Sequence, residues 1–145
     1  MKLVVDTNIL FSFFKKESFT RKLILLNKSF ELISPTHSLE ELNKYSEELL
    51  SKSNLTKRGL ETALSVLQSY VKFIPLNEYK NQFKKVISLA KDFSKKDFKE
   101  FLDDIDFFAL ALKENCSVWS EDKLFKKQSS VKVFTTQELI KKLGL

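Results

Sequence analysis

Leu3-Val4-Val5-Asp6-Thr7-Asn8, close to the start of the chain, decides the fold. Three consecutive apolar residues, with no polar alternation, read as a short strand buried on both faces. The run ends abruptly at an acid. A helical pattern then follows through Ile9, Leu10, Phe13 and Phe14. A strand that is buried on both sides and passes straight into a helix belongs to a parallel sheet with helices on each face.

The same alternation continues along the chain. A second helix is expected over Phe19 to Asn27 and a second strand over Phe30 to Ile33. Ser34-Pro35 is expected to open a long helix, with Ser34 as N-cap and Pro35 at the first helical position. Thr56 caps a helix running to about Tyr70, and Phe73-Ile74-Pro75-Leu76 is a short extended piece. Asn77 to about Phe93 reads as an amphipathic helix, and the lysine-rich Ser94 to Lys99 leads onward. Asp103 to Asn115 is a strongly apolar helix, and Ser117-Val118-Trp119-Ser120 is a third clear strand. A short helix near Lys123 to Lys127 precedes a strand at Val131 to Phe134. Thr135 with Glu138 forms a capping box for the last helix. The expectation is an α/β fold in which sites form beyond the carboxyl ends of the strands.

The 145 residues suit a single domain spanning 1–145, with only 2 Gly, 2 Pro and no low-complexity linker. No apolar run approaches the roughly 18 to 20 residues of a membrane span. The first apolar run is too short for a signal peptide, so a cytoplasmic location is expected. The single Cys116 cannot form an internal disulfide or build a zinc site alone, and reads as a buried thiol. The net charge of +6 favours a polyanionic partner, although lysine-rich surfaces also serve solubility.

Against that basic background, certain acids stand where surface charge would not. Asp6 follows a buried strand, and Asp122 follows Val118-Trp119 at the same edge of the sheet. Helix capping is the plain alternative for each. Placing the residues of the 103–115 helix at 100° intervals puts Asp103, Asp106, Lys113 and Glu114 on the solvent side. Asp104 falls on the opposite side, in line with Phe107, Phe108 and Ala111. A carboxylate there costs several kcal/mol unless paired, protonated or bound to a cation. A first-turn acid favoured by the helix dipole is the alternative. In the helix after Pro35, Glu41 lies at the border of the apolar stripe Leu39, Leu42, Tyr45, Leu49 and Leu50. Glu40 lies nearer the far side, which favours Glu41 without separating the two.

Four converging carboxylates and one histidine in the chain describe an oxygen-ligand site, suited to Mg²⁺ or Mn²⁺ rather than Zn²⁺. Such a cation can activate water and stabilise charge on a phosphodiester. His37 reads as a surface or substrate-adjacent residue without a catalytic role.

In this order the residues resemble the PIN-domain family, in particular its single-domain prokaryotic members that include VapC-type toxins. Val4-Val5-Asp6-Thr7-Asn8 looks like the family's first motif. Ser34-Pro35 leading to Glu41-Leu42 is similar to the second. Asp104 ahead of Ala109, Ala111 and Leu112 fits the third, and Trp119-Ser120-Glu121-Asp122 the fourth. The resemblance spans essentially the whole chain. It implies a three-layer αβα sandwich around a parallel sheet. It also implies cleavage of single-stranded RNA with Mg²⁺ or Mn²⁺ held by Asp6, Glu41, Asp104 and Asp122. Asn8 and Ser120 would orient carboxylates or water. A homodimer and a cognate antitoxin are further implications. The extra acids Asp103 and Asp106 leave the third ligand open by a residue or two. Phe13, Phe14 and Phe19 are interface or core material.

Two other readings compete. A non-catalytic RNA-binding or protein-interaction module on the same fold would be expected to lose some of the four acids, and all four are present. A phosphate-transfer enzyme with Asp6 as nucleophile would need a second acid two residues on, where this chain has Asn8.

Overall fold

The computed structural model of the chain describes residues 1–15, 18–26 and 28–144. The sheet has five parallel strands: β1 (Lys2–Val5), β2 (Glu31–Pro35), β3 (Val71–Ile74), β4 (Ser117–Trp119) and β5 (Val133–Phe134). Their spatial order is β3-β2-β1-β4-β5. The chain builds outward from β1 through β2 to β3, then crosses to the other side of β1 for β4 and β5. The strand order therefore reverses between β1 and β4, where an open parallel sheet leaves a crevice at its carboxyl edge. In register, Val4 lies beside Ile33 on one side and Val118 on the other.

The helices are α1 (Thr7–Ser12), α2 (Phe19–Leu26), α3 (Thr36–Lys44), α4 (Ser46–Ser53), α5 (Lys57–Tyr70), α6 (Phe83–Leu89), α7 (Lys95–Leu102), α8 (Ile105–Glu114) and α9 (Thr136–Leu143). Successive strand residues point to opposite faces, and the cores divide accordingly. Leu3, Val5, Leu32, Trp119 and Phe134 face a core completed by α1 to α5 and α9. Val4, Ile33, Val118 and Val133 face a second core built on the Phe107-to-Ala111 run of α8, with Val86, Phe101 and Phe125. Both faces of the sheet are covered, which is the expected αβα sandwich.

Several local expectations hold. Thr56 caps α5 through the Gly59 N–H, and Thr135 with Glu138 makes a complete capping box on α9. The buried Phe13 and Phe14 are core, whereas Phe19 is 64% exposed. The second helix ends at Leu26 within the described residues, and Asn27 lies outside them.

Others need correction. Ser34 does not cap a helix: it belongs to β2, and its hydroxyl donates to the Val5 carbonyl at 2.8 Å. Pro35 closes the strand, and the helix starts at Thr36. A proline disfavours the helical region for the residue before it, so Ser34 stays extended. The long helix is two helices, broken at Tyr45 with φ −98° and ψ 25°. Asn77 to Phe93 is helical only from Phe83 to Leu89, after two 3₁₀ turns at Leu76–Glu78 and Lys80–Gln82. Between those turns the Tyr79 ring is buried and its hydroxyl meets Asp106, a tertiary contact that outweighs local helical pattern. The lysine-rich stretch is itself a helix, α7, capped by Ser94. The apolar helix begins at Ile105 rather than Asp103, and β5 begins at Val133 rather than Val131. Cys116 is half-buried, with burial pushing its thiol up to about 11.

Candidate active site

Asp6 leaves β1 at the reversal of strand order, with its N–H donating to the Trp119 carbonyl of β4 at 3.3 Å. The carboxylate is 4% exposed. One oxygen, Oδ1, accepts from the Ile9 N–H at 2.9 Å and so caps α1. The other, Oδ2, accepts from the Ser120 hydroxyl. Even with these donors, burial pushes the carboxyl up to about 6, and Asp122 and Glu121 add to the shift.

Ser120 is 1% exposed and works in two directions. It donates to Asp6 and accepts from the Asp122 N–H at 3.0 Å. Asp122 in turn caps the 3₁₀ helix Lys123–Lys127 through the Leu124 N–H at 2.9 Å. The capping reading of Asp6 and Asp122 holds and is compatible with a site there: each spends one carboxylate oxygen on a cap and leaves the other free of that role.

Asp104 behaves differently. It occupies the N-cap position of α8, yet its side chain makes no capping hydrogen bond. Burial pushes its carboxyl up to about 7, followed by the negative charges of Asp122, Asp6, Asp103 and Glu41. Those neighbours come from four segments of the chain. The dipole alternative explains neither the burial nor the acidic company.

Asp6, Thr7, Asn8, Glu41, Asp103, Asp104 and Asp122 line one cavity of about 180 Å³, with His37, Phe11, Phe107 and Phe125 as its remaining wall. Ser120 lies beneath it, touching two of the acids. Glu41 is the glutamate that reaches this cavity, and Glu40 is exposed elsewhere. A larger, more apolar cleft of about 460 Å³ adjoins it, sharing Asn8 and Phe11. The chemistry-bearing groups converge in the smaller one.

Asp106 departs from expectation. It does not face solvent but lies half-buried, accepting from the Tyr79 hydroxyl at 2.5 Å and meeting His37 Nδ1 at 3.4 Å. Burial opposes its ionisation, and the contacts with His37 and Tyr79 outweigh that and hold its carboxyl below the usual range. Asp106 and, to lesser degrees, Glu41 and Glu40 push His37 upward. Sequence reading missed this group because Tyr79 is distant in the chain. The polar Asp106 inside the apolar α8 was the available signal.

A family model described as a PIN domain matches residues 4–144. The chain belongs to the PIN domain family. PIN domains of the VapC type are generally nucleases that use divalent metals. The fold also matches a chain of VapBC2 from Rickettsia felis, solved bound to a DNA fragment from their promoter. The TM-score is 0.65, the identity 19%, and the match covers 93% of this chain and 98% of that one. At that identity the likeness concerns the fold. A search of curated proteins found no match.

The donor chemistry of the acidic cavity fits a hard divalent cation, since every candidate donor is a carboxylate oxygen. Among the described residues, no three His, Cys, Asp or Glu side chains cluster closely enough to hold a metal ion by themselves. Mg²⁺ keeps several of its waters and is held directly by only one or two carboxylates. An open cavity walled by carboxylates suits that mode better than a closed cage.

Proposed function

We propose that this PIN domain is a metal-dependent endoribonuclease that cleaves single-stranded RNA. The observation that carries the reading is the convergence of Asp6, Glu41, Asp104 and Asp122, from four separate segments, on one cavity. Burial and these neighbouring acids push the Asp104 carboxyl up to about 7. A folded chain that gathers uncompensated carboxylates at the reversal point of its sheet gains from a cation there.

Asp6, Glu41, Asp104 and Asp122 are the proposed holders of Mg²⁺ or Mn²⁺, directly or through its bound waters. When bound, the cation would supply a stronger nucleophile from water at neutral pH and neutralise charge developing on the phosphodiester. The protein's own work is orientation. The Ser120 hydroxyl and the Ile9 N–H fix both oxygens of Asp6, and the Leu124 N–H fixes Asp122. Asn8 stands exposed on the rim, placed to orient water or a phosphate oxygen. The excess of 25 basic over 19 acidic residues favours retention of an RNA strand.

The proposal extends to partners. The VapBC2 likeness and the exposed apolar Phe19 and Leu26 of α2 support a protein partner, either an antitoxin or a second copy of the chain. Among the described residues no helix is long and apolar enough to cross a membrane.

The test is incubation of purified protein with labelled single-stranded RNA and Mn²⁺ or Mg²⁺, beside an EDTA control and the Asp6→Asn and Asp104→Asn variants. Metal-dependent cleavage that disappears in both variants is expected. Cleavage that persists in them would refute the site. Absence of both cleavage and metal binding would favour a non-catalytic interaction module.

A further inference from the structure

Of the four acids proposed to hold the cation, Glu41 has the least support from its own backbone surroundings. Asp6 and Asp122 are each clamped by N–H groups of the turn they cap. Asp104 is short and half-buried at the start of α8. Glu41 is a longer side chain on the open face of α3, 44% exposed, with more rotamer freedom to lose when it is held. The group that meets its carboxylate is His37, one helical turn earlier, with Nε2 lying 3.6 Å from Oε1.

His37 does not stand alone. Its buried Nδ1 lies 3.4 Å from Asp106 Oδ2, as an ion-pair contact rather than a formed hydrogen bond. The same oxygen of Asp106 accepts from the Tyr79 hydroxyl at 2.5 Å. Tyr79 is 1% exposed, so this end of the chain of contacts is anchored in the second core. The His37 ring packs on Phe107, with centroids 5.6 Å apart, which limits its rotation. The first turn of α8 thus braces the imidazole of α3 through Asp106 and Phe107, and Tyr79, in the turn before α6, braces Asp106 in its turn. The free edge of that imidazole faces the acidic cavity.

We infer that His37, braced by Asp106 and Tyr79, is a positioning residue that holds the Glu41 carboxylate toward the cavity. The inference rests on the nuclease reading above, because it takes Glu41 as a cation-holding group. A carboxylate that fixes the far nitrogen of a histidine sets the ring's orientation and tautomer, and outer partners of this kind alter metal affinity by about 10- to 100-fold. It also gives Asp106 a purpose that its place in an apolar helix otherwise lacks. A mere structural tie between α3 and α8 would not need the imidazole's second nitrogen to meet a cavity acid.

The discriminating experiment is a double-mutant cycle on Mn²⁺ affinity, measured by calorimetry at one fixed pH on the full-length protein, with melting curves confirming that each variant is folded. His37→Ala is expected to weaken Mn²⁺ binding about 10-fold in the wild-type background. In a Glu41→Gln background the same change is expected to do almost nothing, because its route of action is gone. His37→Gln, which keeps a polar group near the same place, is expected to recover part of the loss. Tyr79→Phe is expected to act in the same direction, more weakly. Equal losses in both backgrounds would mean that His37 acts only through the fold, and would overturn the inference. So would undiminished binding in His37→Ala while Asp6→Asn and Asp104→Asn abolish it, an outcome that leaves the nuclease site standing. A wild-type protein that binds no Mn²⁺ would bring down both readings together.

Discussion

The two ends of β1 and β4 handle charge in opposite ways. At the amino edge, Lys2 sits between Glu114 at 3.2 Å and Glu31 at 3.7 Å. The neighbouring Cys116 stays a neutral thiol, pushed up to about 11 by burial. Lys2, Glu31 and Glu114 are thus paired with one another. At the carboxyl edge of the same strands, Asp6 and Asp104 face Asp122 and one another, with no Lys or Arg among the described residues of the cavity wall. Their carboxyls are pushed up to about 6 and 7. The contrast is instructive because the backbone is shared. The strands that hold Lys2 between two glutamates at one end gather carboxylates beside one another at the other.

The largest expected effect breaks the acidic edge. Asp104→Asn or Asp6→Asn should lower metal-dependent RNA cleavage by at least about 100-fold, because even outer partners of a metal site account for 10- to 100-fold. A quantitative gel assay with an EDTA control checks it.

The second effect has the opposite sign, on stability. The folded Asp104 carboxyl titrates near 7 against an ordinary value of 3.8. Its contribution to folding is therefore fully present below about pH 4 and is lost as pH rises through 7. Without metal, Asp104→Asn should raise Tm at pH 8 by on the order of 5 °C, with the gain shrinking towards pH 4. Added Mn²⁺ should stabilise the wild type at pH 8 and the variant much less. Thermal melts across pH with and without EDTA decide this. A variant no more stable than wild type at pH 8 would mean the acidic edge is already compensated.

Ser120→Ala sharpens the comparison further. It removes the donor to Asp6 and leaves the Asp122 N–H without its acceptor. Mn²⁺ affinity should fall about 10-fold, with the fold retained. The smallest effect belongs to the amino edge. Lys2→Ala removes two partly exposed ion pairs, so Tm should move by no more than about 2 °C and cleavage should not change. A large loss of cleavage in that variant would mean the two edges are coupled.

Much of this was legible in the residues because it depends on short-range rules. Buried strands announce themselves as apolar runs, and caps as Asp, Ser or Thr ahead of a helix. The positions of Asp6 and Asp122 follow from those rules, as does the αβα layering. Helical periodicity singled out Asp104 by its line with Phe107, Phe108 and Ala111, although the helix starts one residue later and Asp106, on the solvent side of the same wheel, is half-buried. The errors fall where a distant contact overrides local preference. Ser34 looked like a cap and is held in β2 by the Val5 carbonyl. Asn77 to Phe93 looked like one helix and is interrupted where Tyr79 turns inward.

By itself, then, the sequence determined the order of strands and helices, the two-sided burial of the sheet, and which acids stand at element ends or on a buried helix face. All of these are set by neighbours within a turn or two of the chain. Only the tertiary structure decided that β4 lies against β1, and so that Ser120 bridges Asp6 and Asp122. It also decided that Glu41 rather than Glu40 reaches the cavity, and that Tyr79, Asp106 and His37 join behind it. The Tyr79–Asp106 and Asp6–Ser120 contacts cross gaps of 27 and 114 residues, and their geometry depends on how whole layers pack.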